Sequence, residues 1–140
     1  MIDNDKLKKS LKHLELQFAN YNQAHHRHEL LDIDREAIAE SVIQRFETCY
    51  DTLWKTLKHF LIQNYGLVNV PNSPKPIIKL AGQNNLFVTP VDQWLKYADA
   101  RTNTVHGYSE NKAMQPLLII EDFIKDAIDL YQTMTGSRWA

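Results

Sequence analysis

The sequence predicts an all-α fold, an up-and-down four-helix bundle with an additional short helix. Three observations predict it. Apolar residues recur at spacings of three and four, no alternating run of useful length occurs, and Gly and Pro fall mostly between the periodic segments. The length, 140 residues, suits one compact domain over 1–140, because two would each have a marginal core.

The first helix is carried by Leu7, Leu11, Leu14, Phe18 and Tyr21, with Lys8, Lys9, Lys12 and Glu15 on other faces. Asp3 or Asn4 can cap it, and it frays within the polar stretch Asn22–Glu29. A longer helix runs from about Asp34, as N-cap, to Tyr65, with Gly66 at the left-handed position after it. Ile38, Val42, Phe46, Tyr50, Leu53, Leu57 and Phe60 form its stripe, widened by Ile43, Trp54 and Leu61. Val70–Pro76 reads as a loop, followed by a short amphipathic piece (Ile77, Ile78, Leu80, Ala81) ending near Gly82. Thr89 as N-cap and Pro90 at the first helical position open the next helix, which buries Trp94, Leu95 and Ala98. The last begins near Ser109, carries Leu117, Leu118, Ile120, Ile124, Ile128 and Tyr131, and ends at Gly136. Pro116 should kink it or separate a first turn, Glu110–Met114, from its body.

Bulk charge narrows the function classes. The net charge is −1, with basic and acidic groups evenly spread between the two halves of the chain. Binding to long nucleic acid through many phosphates needs a basic surface, and no such surface follows from these totals. The single cysteine, Cys49, excludes an internal disulfide framework and a Cys-based zinc site. No run of about 18 apolar residues is present for a membrane span. The start, MIDNDKLKKS, has no apolar signal region. A cytoplasmic chain is the expectation.

The sharpest chemical constellation is Arg101-Thr102-Asn103-Thr104-Val105-His106-Gly107-Tyr108. Arginine offers a permanent cation and a planar fork suited to phosphate, and histidine can move a proton near neutrality. Together they could hold a phosphodiester and activate a neighbouring hydroxyl without a metal. Asn103 could orient a phosphate or a ribose. The competing reading is structural: such a pair arises often by chance, and five residues on an unbroken helix splay two side chains by about 140°. A break after Val105, helped by Gly107, would bring His106 back toward Arg101. Glu47, Asp51 and Lys55 share a face of the long helix, either as a solvated ladder or with a carboxylate facing the Arg–His site. His25, His26 and His28 lack the spacing of a helical zinc site, so no metal site is expected. Trp54 and Trp94 sit on apolar stripes and read as core.

Three stretches together resemble the HEPN superfamily, specifically the nucleotidyltransferase substrate-binding proteins that include the HepT toxins. Arg45-Phe46-Glu47 with Asp51 and Trp54–Lys58 resembles the family's long second helix. Ser73-Pro74 through Trp94 resembles its loop and short helix, and Arg101–Tyr108 has the form R-x4-H-x-Y. The resemblance implies a helical homodimer whose two motifs line one cleft, with RNA or nucleotide as ligand and no cofactor. It also implies metal-independent endoribonuclease chemistry, with Arg101 stabilising the scissile phosphate and His106 moving the proton of the 2′-hydroxyl or the leaving oxygen. The implied partner is a minimal nucleotidyltransferase acting as antitoxin, which adds AMP to the motif tyrosine, here Tyr108. The residue after the arginine, usually Asn, Asp or His in the family, is Thr102. The intact Arg101, His106 and Tyr108 fit a ribonuclease toxin. Thr102 and the even charge fit a non-catalytic subunit that binds nucleotide or another substrate for a separate nucleotidyltransferase.

Overall fold

Leu7, Leu11 and Leu14 lie one helical turn apart on the face the sequence marks as apolar. In the computed structural model, which describes residues 4–104 and 115–139, all three are fully buried. The described residues form five helices and no strand: α1 (Asp5–Ala24), α2 (Asp32–Tyr65), α3 (Pro74–Gln83), α4 (Val91–Asn103) and α5 (Gln115–Thr135). This is the all-helical bundle that the periodicity predicts. Side chains of all five helices share one apolar cluster.

The helix ends differ from expectation by one to three residues, and each shift has a local cause. Asp34 is not the N-cap of α2. It lies one turn inside, where its carboxylate accepts the Leu31 N–H at 2.9 Å. Pro90, not Thr89, occupies the N-cap of α4, and the Thr89 hydroxyl is buried without a partner among the described residues. Helix α3 claims Pro74–Pro76 from the expected loop; proline is tolerated there because the first-turn N–H groups have no intrahelical acceptor. Pro116 is the second residue of α5 as described from Gln115; Ser109 and the turn Glu110–Met114 lie outside the described residues. Gly66 closes α2 with φ at 61°, the conformation that a Cβ disfavours.

At 34 residues, α2 spans about 51 Å and is the spine. Helix α1 packs antiparallel against it: His13 meets Arg45 near mid-helix, and Arg35 reaches Ala24 at the turn. No glycine ends α1. Instead the Arg35 guanidinium donates to the carbonyls of Arg27 (2.7 Å), Leu30 (2.9 Å) and Ala24 (3.3 Å), capping the end of α1 and its turn from the next helix.

The centre of the core is aromatic. Phe123 of α5 is fully buried and lies edge-on to Phe46 of α2 (5.0 Å between centroids) and Tyr97 of α4 (5.3 Å). Trp94 and Tyr50 close the group around it. Both Trp54 and Trp94 are core residues, as expected. Leu118, counted in the apolar stripe of the last helix, is 83% exposed instead. The Tyr97 hydroxyl donates to the buried Asp126 carboxylate and accepts from Gln93 at 3.2 Å. Burial first, and the Asp126 contact second, push the Tyr97 hydroxyl well above the usual phenol range.

Beyond α5 the chain folds back on α1. Trp139 stacks edge-on to Tyr131, its indole N–H donates to Glu15 (3.2 Å), and the Lys12 ammonium sits 4.3 Å above its ring. Among the described residues no helix is long and apolar enough to cross a membrane.

Candidate functional site

Two carboxylates one turn apart on α2 and one arginine in the last turn of α4 make the site. Glu47 and Asp51 are four residues apart and share a face of α2. Helix α4 crosses that face and presents Arg101, a cation at the helix end where the dipole favours one. Arg101 Nη1 donates to Glu47 Oε2 at 2.8 Å, Nη2 to Asp51 Oδ2 at 3.2 Å and Nε to Asp51 Oδ1 at 3.4 Å. The Thr104 hydroxyl accepts from Nη1 at 3.3 Å and donates to the Arg101 carbonyl at 2.7 Å, tying the guanidinium to its own helix end. Of the two sequence readings, the solvated ladder is therefore not the arrangement formed. Both carboxylates face Arg101. Lys55 instead lies over the Trp54 ring at 5.8 Å, and Lys58 donates to the Asn72 side chain at 3.0 Å.

The arrangement opens on a groove of about 510 Å³ whose walls include Tyr50, Asp51, Ser73, Lys75, Arg101 and Thr102. Lys75 at the start of α3 is paired with Asp99 of α4 at 2.7 Å, which ties the two walls together. The Tyr50 hydroxyl is buried against the groove with no hydrogen-bond partner among the described residues. Burial raises its ionisation far above the phenol range, the Asp51 charge adds to this, and Arg101 opposes it. A buried, unpaired hydroxyl is costly, so Tyr50 is a donor available to a ligand or a water.

Arg101, Thr102, Glu47 and Asp51 are thus brought to one place. The Thr102 hydroxyl donates back to the Ala98 carbonyl at 3.1 Å while the residue lines the groove; Asn103 is exposed. His106 and Tyr108 lie outside the described residues. Helix α4 ends at Asn103, two residues after Arg101. Sequence reasoning names Tyr50, Ser73 and Thr104 only as parts of longer stretches and gives none of them a role in the site. Tyr50 reads as part of the spine's stripe, though its place between Glu47 and Asp51 is a usable signal. Thr104, three residues after Arg101 at a helix end, is another.

The arginine has five N–H donors, and the four contacts above leave one Nη2–H for anything else. Glu47 and Arg101 are the more enclosed pair; Asp51 is more exposed and the readier to exchange for an incoming anion. Elsewhere, His25, His26 and His28 are exposed in the α1–α2 turn, and no group of three metal-ligating side chains is assembled among the described residues. Cys49 is buried, which pushes its thiol up to about 12 despite a hydrogen bond with Ser10, so it is no nucleophile.

The architecture is that of a small helical bundle with an arginine–carboxylate site at the mouth of an open groove. The chain belongs to the family described as nucleotidyltransferase substrate binding protein like, whose model matches residues 3–136. Among solved structures, it is similar to a protein of Haemophilus influenzae described as having the fold of a substrate binding domain of a nucleotidyltransferase. That match has a TM-score of 0.84 at 23% identity, covering 94% of this chain and 98% of the other. A protein of Thermus thermophilus matches with a TM-score of 0.62 at 26% identity, over 88% of this chain and 96% of its own. No curated protein matches the chain.

Proposed function

We propose that the chain is the HEPN-type, cytoplasmic partner of a minimal nucleotidyltransferase in a toxin–antitoxin-like pair. It works as a homodimer that cleaves RNA at Arg101 and His106, and AMP addition to Tyr108 silences it. The family supports the partnership, and one observation carries the site: the Arg101 guanidinium is fixed by Glu47, Asp51 and Thr104 at the edge of a groove. Such fixation preorganises the guanidinium, whose remaining Nη2–H is left for a non-bridging oxygen of a phosphorane-like transition state. In the reaction, the ribose 2′-oxygen attacks phosphorus, the bond from phosphorus to the 5′-oxygen breaks, and a 2′,3′-cyclic phosphate and a 5′-hydroxyl result. His106 takes the 2′-hydroxyl proton or delivers one to the departing 5′-oxygen. In silencing, the Tyr108 oxygen attacks the α-phosphorus of ATP on the nucleotidyltransferase, and pyrophosphate leaves.

A second reading has its own support. Four of the five Arg101 donors are engaged by protein acceptors, which suits a guanidinium that shapes a nucleotide-binding groove and does no chemistry. Purified wild-type protein and its Arg101→Ala and His106→Ala variants, incubated with RNA in EDTA, separate the two. Cleavage lost in both variants supports the ribonuclease; RNA left intact by the wild type, with no growth defect on expression, supports the binding subunit. Co-expression with a neighbouring nucleotidyltransferase should add about 329 Da, one AMP residue, to the wild type and not to Tyr108→Phe. No added mass removes the silencing step.

A further inference from the structure

A different flank of α2 from the one that faces Arg101 carries a second concave site. Helix α1 contributes Lys6, Lys9, Ser10 and His13 to it, and α2 contributes Arg45, Thr48 and Thr52. The two rows face each other because the residues recur at helical spacing on antiparallel helices. They enclose a groove of about 320 Å³. Its lining holds two lysines, one arginine, three hydroxyls and one imidazole, and no carboxylate. Among the described residues, no carboxylate pairs with Lys6, Lys9 or Arg45.

Two acidic neighbours are held elsewhere. Glu47 and Asp51, next in sequence to the Thr48 and Thr52 of the lining, are turned to the other flank of α2 and held there by Arg101. Asp5 flanks Lys6 and has a contact of its own. Arg45 Nη1 lies 3.4 Å from His13 Nδ1, an arrangement in which the imidazole accepts and its Nε2–H is left to donate. The Thr52 and Ser10 hydroxyls donate to backbone carbonyls of their own helices, at 2.9 and 3.1 Å, and Ser10 also meets the Cys49 thiol, which leaves the Thr52 lone pairs and the Thr48 hydroxyl at the groove. Such a set of cationic and hydroxyl donors recognises phosphate oxygens. No Phe, Tyr or Trp side chain lines the groove to stack a base.

We propose that this groove between α1 and α2 is a phosphate-binding site, taking either the backbone of single-stranded RNA or the polyphosphate of a nucleotide. Lys6 and His13 are seven residues apart, about 10 Å along α1, enough for more than one phosphate. The site revises the expectation from bulk charge: an even distribution along the sequence becomes a local basic surface once the helices pair. It does not depend on the ribonuclease reading, since none of its residues belongs to the Arg101 site.

Fluorescence polarisation with a labelled single-stranded RNA, and calorimetry with ATP and with inorganic tripolyphosphate, test it. The proteins are the wild type, Lys9→Gln, Arg45→Gln, Lys6→Gln/Lys9→Gln/Arg45→Gln, and Lys125→Gln on α5 as control, each checked for helicity by circular dichroism. Arg45→Gln should weaken binding about tenfold and the triple variant more, with Lys125→Gln unchanged. If RNA is the source, the triple variant also lowers the slope of log affinity against log salt by about 2, at ~0.7 per phosphate contact. If a nucleotide is the source, ATP and tripolyphosphate bind and RNA does not. No binding of any probe overturns the proposal. So does binding that Arg101→Gln abolishes and the triple variant leaves intact.

Discussion

Glu47 and Asp51 share one guanidinium but not one environment, so removing them should have unequal effects. The side chains of Arg101 and Glu47 are 23% and 27% exposed, and their contact is 2.8 Å. A charge-assisted bond so enclosed is worth about 1.5–3 kcal/mol. Asp51 is 42% exposed and its contacts are longer, 3.2 and 3.4 Å, so solvent screening reduces its share to about 0.5 kcal/mol. Two double-mutant cycles by urea unfolding measure this: Arg101→Gln with Glu47→Gln, and Arg101→Gln with Asp51→Asn. The expected coupling is about 2 kcal/mol in the first and about 0.5 kcal/mol in the second. Raising NaCl from about 0.05 to about 0.5 M should halve the second and leave most of the first, since screening acts most on exposed pairs. Equal couplings, or a first coupling below about 0.5 kcal/mol, would refute the view that Glu47 anchors a preformed arginine.

Two further outcomes follow from the core. Phe123→Ala should cost about 3–5 kcal/mol in urea unfolding, while Leu118→Ala on the same helix should cost under about 0.5 kcal/mol; similar losses would contradict the packing described. Stability should also fall on the alkaline side. Cys49 is raised from 9.0 to about 12, and Tyr50 and Tyr97 are raised above 10.0, so each keeps its proton in the folded state where the unfolded chain has lost it. Their contribution is complete below pH 9 and is lost as pH rises toward 12, by up to about 1.4 kcal/mol per pH unit for each group titrating. Unfolding midpoints that stay level between pH 8 and about 10.5 would sink this assignment.

What can be read from the chain alone is what neighbours within a few turns decide. The stripe Leu7, Leu11, Leu14 and the long run to Tyr65 closed by Gly66 depend on local spacing and a backbone angle, and both are as expected. The shifts at Asp34 and Pro90 come from rival caps one to three residues apart, a choice that small energies settle. The site is half legible. Arg101 is singled out by its motif, but whether Glu47 and Asp51 face solvent or Arg101 depends on how α4 crosses α2, some 50 residues away in sequence. Leu118 repeats the apolar period and still faces outward, because the period marks a helix face and not what lies opposite it. The α1–α2 groove is hidden for the same reason, since Lys9 and Arg45 become neighbours only when the helices pair.

The Trp139 clasp has a consequence for the order in which the chain folds. Helices α1 and α2 are joined by a short turn and can zip together early, as neighbouring helices do. The bond from Lys12 to the Trp139 carbonyl, by contrast, joins residues 127 apart in sequence. If formed first, closing a loop of that length would cost about 4 kcal/mol of chain entropy. The docking of α5 and its tail across α1 is therefore expected to form late, and in a variant with Trp54 and Trp94 replaced by Phe the Trp139 fluorescence reports when it forms.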